Sequence, residues 1–316
     1  MSLIQLIILI ILLGVFFFFI APYAILSFIL YTKLLVRTSP EKWGRTCSIP
    51  EDEEYRRMFD LGMQWHETYK AHKSDLFVES DGFRLAAEYF DFGFRRAVII
   101  VPGRMESCLY SYFFAEPYRK AGFNVLAIDN RSHGLSEGRR CALGLKEYRD
   151  LLRWAKLLHE EKQADSVIMH GICIGAAAGL TALVSEECPD YLSGLVGEGM
   201  YTTFADSFRN HMIEDRRPLF PIFWATMQQI RIFSGVNVMK NGPVNQIAQL
   251  KKPILFLHSR EDRFSLPEYA DLLYEKCTAP KKLCWFPKGA HSRIRITSPE
   301  SYDEAITAFL TEHFGS

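Results

Sequence analysis

The chain has 316 residues, long for one domain and short for two once a leader is set aside. Its 37 Lys and Arg balance 37 Asp and Glu, which argues against a nucleic-acid partner, because such binders carry a basic excess or stripe. With 48% hydrophobic and 23% charged residues the composition is globular, which argues against disorder.

Residues 1–32 contain no charged side chain, and Lys33 is the first. The apolar run 3–31 exceeds the roughly 20 residues that a span needs, with room for tilt or a kink near Pro22. A cleaved signal peptide has a basic start and a shorter apolar core of about 7–15 residues, so the run predicts an uncleaved transmembrane anchor held in a lipid bilayer. Lys33, Arg37, Lys42 and Arg45 all follow it, and nothing basic precedes it. The positive-inside rule then places the body in the cytoplasm, as a single-pass protein. Seven cysteines, an odd number with no C-x-x-C pair, also favour a reducing compartment. They exclude a zinc site built from clustered Cys, and nothing in the chain asks for a metal or cofactor.

Residues 33–74 read as a linker and a docking helix over 50–69. The domain proper covers 75–316. Strands are predicted at 76–79 and 84–90, flanking the turn Ser80-Asp81-Gly82, then at 97–101, 125–128, 166–170, 194–197, 254–258 and 283–286. Helices are predicted at 109–121, 145–162, 174–185, 267–277 and 298–314. Short apolar strands separated by helices imply a mostly parallel sheet covered on both faces. The interval from about 200 to 250 is rich in aromatics: Phe204, Phe208, Phe220, Phe223, Trp224 and Phe233. Insertions of that length are often lids, although buried aromatics also dominate ordinary cores.

Gly171-Ile172-Cys173-Ile174-Gly175 follows the 166–170 strand and opens a helix. That is the strand-turn-helix setting of a nucleophile elbow, with Cys173 in the nucleophile slot. Gly171 and Gly175 supply the small flanks that such a turn needs. The helix N-terminus behind Cys173 favours negative charge and offers the N–H of Ile174 to an oxyanion. Alone the motif is weak. Two residues strengthen it. Asp262 lies just past the 254–258 strand and His291 just past the 283–286 strand. The order Cys173, Asp262, His291 is nucleophile, acid, base. His291 would take the thiol proton, and Asp262 would orient the imidazole. Glu261 and Glu198 are competing acids. A second oxyanion donor is expected from the loop at 101–107, with the N–H of Arg104 as candidate; its side chain could instead pair with Glu106 on the surface.

From about residue 75 to 314 the chain resembles the α/β-hydrolases. It is most similar to the serine aminopeptidase or monoacylglycerol-lipase-like hydrolases and their small-lidded bacterial relatives. The elbow carries the resemblance, with the register of Asp262 and His291 and the stretch Asp129-Asn130-Arg131-Ser132-His133-Gly134-Leu135-Ser136, similar to the family's D-x-R-G-H-G-x-S. The resemblance implies an α/β-hydrolase fold: an eight-stranded, mostly parallel sheet with helices on both faces and a small lid. It also implies that His133 shapes the site floor and takes no part in the chemistry. There are departures. Cys173 stands where the family has Ser, Pro102-Gly103 where it has His-Gly, and Ser132 where it has Gly. Dienelactone hydrolases and polyhydroxyalkanoate synthases carry Cys in such an elbow.

The expected function is hydrolysis of an ester or thioester of a hydrophobic acyl substrate through a thioester acyl-enzyme. An acyltransferase would use the same intermediate. A non-catalytic lipid- or partner-binding protein would have no need of all three residues. A peptidase is weaker still, since nothing recognises an N-terminal amine. Cys47, Cys108, Cys141, Cys188, Cys277 and Cys284 belong to no motif, although Cys108 lies near the oxyanion loop. Arg139-Arg140 and Arg216-Arg217 read as solvated faces that could also contact anionic head groups.

Overall fold

The structure, a computed structural model, describes residues 2–315. It opens with helix α1, Leu3–Leu35, 33 residues that are long and apolar enough to cross a membrane. Ser2 and Gln5 form a capping box at its start. A π-helical stretch, Phe16–Ile20, precedes Pro22. Proline at 22 has no N–H for the carbonyl of residue 18, and the wider turn absorbs that break. Most of α1 is exposed. Ser27, Tyr31 and Leu35 are buried, a stripe with four-residue spacing that faces the body. This packing carries the helix through Leu35, beyond the end of the apolar run.

Helix α2, Glu53–Tyr69, is capped by the Asp52 carboxylate, which accepts the Tyr55 N–H at 3.0 Å. Tyr55, Met58 and Trp65 are buried along one face, so the predicted docking helix packs on the domain. The strands are β1 Lys73–Ser80, β2 Phe83–Phe90, β3 Arg96–Val101, β4 Asn124–Ile128, β5 Ser166–Ile172, β6 Leu192–Glu198, β7 Ile254–Ser259 and β8 Lys281–Phe286. They form one sheet in the order β1-β2-β4-β3-β5-β6-β7-β8. Both pairings of β2 are antiparallel, and β4, β3 and β5 through β8 run parallel.

Alternation along β3 splits the core. Ala97, Ile99 and Val101 face one apolar cluster, whereas Val98 and Ile100 face the other. The first is covered by α3, Tyr148–Glu160, and α4, Ile174–Val184. The second is covered by α2 and the C-terminal part of the chain. The predicted 109–121 helix is three short pieces instead: Cys108–Ser111, a 3₁₀ turn at Tyr112–Phe114, and Glu116–Lys120. Pro117 starts a new helix because it cannot continue an old one.

The insertion after β6 holds α5, Phe204–Glu214, and α6, Ile222–Ser234. Its aromatics divide. Phe204, Phe208 and Phe223 are buried, while Phe220, Trp224 and Phe233 are exposed. The buried three join Tyr31 and Leu35 of α1 in a third apolar cluster. The chain closes with α7, Pro267–Lys276, and α8, Pro299–Phe314.

Candidate active site

Cys173 sits between β5 and α4 with φ 53° and ψ −108°. A side chain rarely adopts that conformation, and its cost persists only where the surroundings enforce it. They do so here. A Cβ on Gly171 would lie 2.3 Å from the Ala176 nitrogen, and one on Gly175 would lie 2.2 Å from the Val101 oxygen. Strand and helix therefore meet too closely for any side chain at either flank. Gly171→Ala is expected to destabilise the fold by about 3 kcal/mol, because it must push apart backbone rather than a flexible side chain. Urea unfolding of the solubilised chain reads this directly.

The half-buried Cys173 packs against the apolar cluster that contains Tyr31, Tyr201, Phe204 and Phe208. The first N–H groups of α4, Ile174 among them, have no intrahelical acceptor. In the loop after β3, the Gly103 N–H donates to Glu106 Oε2 at 2.7 Å and the Met105 N–H to His133 Nε2 at 3.3 Å. Between them, the Arg104 N–H has no acceptor among the described residues.

His291 Nδ1 lies 2.7 Å from Asp262 Oδ2. The other carboxylate oxygen of Asp262 accepts the N–H groups of Phe264 and Ser265, at 2.9 and 2.8 Å. These bonds fix the acid, and the acid fixes the ring with Nε2 free to exchange a proton. Burial alone would lower the pKa of His291, but the Asp262 carboxylate and the Cys173 sulfur raise it well above its usual value. Burial would raise the pKa of Asp262, and the His291 charge holds it below the usual carboxylate value. Gly199 lies under the pair: a Cβ there would approach His291 Cε1 to 3.1 Å.

The competing acids go elsewhere. Glu198 is buried beneath the site, where Oε2 accepts the Tyr302 hydroxyl, and burial pushes its pKa up to about 7. Glu261 accepts the Gly289 N–H at 3.2 Å. The alternative reading, a surface pair of Arg104 and Glu106, does not form among the described residues. Glu106 is buried, accepts the Tyr55 hydroxyl as well as the Gly103 N–H, and has a pKa raised by that burial. The Arg104 side chain reaches toward the Leu34 carbonyl at 3.5 Å instead. Cys108 is fully buried, and its N–H donates to Asp129 Oδ1 at 2.8 Å.

Two supports, Tyr55 and Arg293, had no signal as site residues, and a third, His133, was expected to shape the site floor. Tyr55 of α2 holds Glu106, and through it Gly103. Arg293, two residues past His291, binds Asp52 at 2.6 Å and Glu54 at 3.0 Å, so the start of α2 clamps the His291 loop too. His133 is buried, stacks on Trp43 at 4.6 Å, and bonds the Arg131 carbonyl at 3.0 Å through Nδ1. Because Nε2 must accept the Met105 N–H, the proton sits on Nδ1. Burial lowers the pKa of His133 to about 4. His133→Gln is therefore expected to lower turnover by loosening the Arg104 loop. The unfolded His takes up its proton as pH falls from 6.5, whereas the folded one stays neutral down to about 4, so wild-type stability falls across that window. The variant lacks this loss. The stability gap between the two should narrow by about 1.4 kcal/mol per pH unit below 6.5, measured by urea unfolding at several pH values.

The sheet order, with Cys173 after β5, Asp262 after β7 and His291 after β8, is that of an α/β-hydrolase fold. Within it, the serine aminopeptidase (S33) family model matches residues 94–212, which include Arg104 and the elbow but neither Asp262 nor His291. The chain is 26% identical to the uncharacterized protein YqkD of Bacillus subtilis over 215 residues, 67% of this chain and 70% of that one. It is 25% identical to the alpha/beta hydrolase domain-containing protein WAV2 of Arabidopsis thaliana over 204 residues, 62% of this chain and 63% of that one. Among solved structures it is similar to the Pyrococcus furiosus esterase Pf2001, with TM-score 0.67, 22% identity, and coverage of 79% of this chain and 94% of that one. A dienelactone hydrolase from Anabaena variabilis also matches, with TM-score 0.55, 15% identity, and coverage of 76% and 97%. At these identities the structural likeness speaks for the fold.

Proposed function

We propose that this chain is a membrane-anchored hydrolase of esters or thioesters of hydrophobic acyl groups, acting through Cys173, His291 and Asp262. The backbone of Cys173 carries the reading: a half-buried thiol is held at φ 53° on a glycine-flanked turn, the kind of strain that collects at functional sites. The His291–Asp262 bond supports it.

In this reading the Cys173 sulfur attacks the acyl carbonyl carbon, and its proton passes to His291 Nε2. The N–H groups of Arg104 and Ile174 receive the oxyanion. The tetrahedral adduct expels the alcohol or thiol, which takes the proton from His291, and a thioester on Cys173 remains. Water then attacks the thioester as His291 removes its proton. The sulfur leaves and is reprotonated. The apolar cluster beside Cys173, which contains two residues of α1, favours an acyl chain over a polar group. The length and exposure of α1 support its lying in a bilayer. The four basic residues after the apolar run favour a cytoplasmic body.

Mass spectrometry of the detergent-solubilised chain after brief exposure to a short acyl thioester tests the reading. A transient acyl adduct on Cys173 that is lost in water and absent from His291→Ala is expected. An adduct released only by an added amine or alcohol would make the chain an acyltransferase. Labelling spread equally over the seven cysteines would end the nucleophile assignment.

A further inference from the structure

A cavity of about 960 Å³ opens where α1 meets α6 and the loop after β4. Phe28 and Tyr31 of α1 and Phe233 of α6 form its apolar side. Their rings are 5.5 Å apart for both Phe28–Phe233 and Tyr31–Phe233, and the Tyr31 and Ser234 hydroxyls lie 3.3 Å apart. Arg139, Arg140 and Lys146 form the polar side. All three are exposed, and none has a salt-bridge partner among the described residues. Arg131 also lines the cavity, but Asp150 at 2.6 Å and Asp81 at 3.0 Å neutralise it. Arg140 Nη1 donates to the Phe233 carbonyl at 3.3 Å, and against the three cations stands one acid, Glu137, whose Oε2 is engaged by the Arg84 N–H at 2.9 Å.

The height of this cavity on α1 says what would fill it. Phe28 and Ile29 are still exposed apolar residues, while Lys33 is the first charge of the chain. The cavity therefore spans the turn at which α1 passes from hydrocarbon-compatible to charged, the depth of lipid phosphates if α1 crosses a bilayer. The emergence is also fixed. Lys42 Nζ bonds the Thr32 carbonyl at 3.0 Å and the Val36 carbonyl at 2.5 Å, and the Arg37 N–H donates to the Arg139 carbonyl at 2.8 Å. Arg139 and its neighbour are thus tied to the end of the anchor.

We propose that this cavity binds the phosphate headgroup of an anionic phospholipid from the surrounding bilayer, with Arg139, Arg140 and Lys146 on the phosphate and the acyl chains descending past Phe28 and Phe233. Guanidinium groups suit a phosphodiester because their paired N–H groups match its oxygens. This inference rests on the reading of α1 as a bilayer anchor and is independent of the chemistry at Cys173.

The test uses the full chain in nanodiscs of equal phosphatidylcholine and phosphatidylglycerol, released into native mass spectrometry. Wild type is expected to retain phosphatidylglycerol over phosphatidylcholine by about tenfold or more, the order that several basic side chains at an anionic surface supply. Arg139→Glu/Arg140→Glu/Lys146→Glu should abolish the preference. Arg56→Glu/Arg57→Glu, on the exposed face of α2, should keep it, and unchanged circular dichroism and melting would show that both variants fold. Alkaline carbonate extraction of membranes is run beside it. A chain that stays with the membrane yet shows no preference, or whose triple variant keeps it, overturns the site while the anchor reading stands. A chain that carbonate releases overturns the anchor and with it the lipid as occupant. Loss of the preference to millimolar inorganic phosphate would overturn the lipid in favour of a free anion.

Discussion

Cys173→Ala is expected to lower ester or thioester turnover by about 10⁴-fold or more while leaving the fold intact, since loss of a nucleophile forfeits the covalent route and leaves only binding and oxyanion stabilisation. The small side chain suits the elbow: alanine has no atom beyond Cβ to clash, and α4 starts from the same turn. Cys173→Ser separates chemistry from geometry. It keeps the shape and the proton path to His291 but replaces the thioester by an oxygen ester. The wild-type adduct should be released by neutral hydroxylamine and the serine adduct should resist it. Iodoacetamide should inactivate wild type and spare the serine variant. Cys173→Ala that turns over substrate at the wild-type rate would leave the α/β-hydrolase fold in place and move the chain among binding proteins.

Much of this arrangement was readable because its causes are local. Alternation in β3 and the two-residue turn between β1 and β2 follow from period and turn chemistry alone. Gly171 and Gly175 announce a close approach whose partners, Ala176 and Val101, only the fold reveals. The positions of Asp262 and His291 after their strands were legible for the same reason, since a parallel sheet brings successive strand ends to one edge. What escaped reading depends on segments far apart in the chain. Tyr55 meets Glu106 across 51 residues, and Arg293 meets Asp52 across 241. No spacing rule links them, so Glu106 entered only as a possible surface partner of Arg104 and α2 only as a packed helix. The broken stretch at 108–120 failed differently: its apolar period suited one helix, but Pro117 and burial against the sheet divided it. The junction of α1 with α6 was equally invisible, because an apolar helix that meets lipid and one that meets protein use the same residues.

Asp262→Asn and Glu198→Gln should part sharply, although both remove a buried carboxylate near His291. Asp262→Asn is expected to cut kcat by about 10⁴-fold, because the amide stabilises the wrong tautomer and cannot balance an imidazolium. Glu198→Gln should leave kcat nearly unchanged, since Gln still accepts the Tyr302 hydroxyl and Glu198 makes no hydrogen bond to His291 among the described residues. The pH profile carries the same distinction with a definite sign. Asp262 and Cys173 raise His291 above its usual value, so its protonated form persists to higher pH than a free histidine. Removing the Asp262 charge lets burial dominate and brings that value down. Because His291 must be neutral to take the thiol proton, the acid limb of kcat/KM should then move to lower pH in Asp262→Asn and stay in place in Glu198→Gln. Stability follows by linkage. A raised His contributes below its unfolded value and loses that contribution as pH rises through the folded one, whereas Asp262, held low, contributes above its unfolded value and loses it as pH falls. The Asp262–His291 pair therefore stabilises most between those limits, and Asp262→Asn should flatten both edges. If Glu198→Gln moved the acid limb and Asp262→Asn did not, the orienting acid would be Glu198, and the 2.7 Å contact between His291 and Asp262 would be structural.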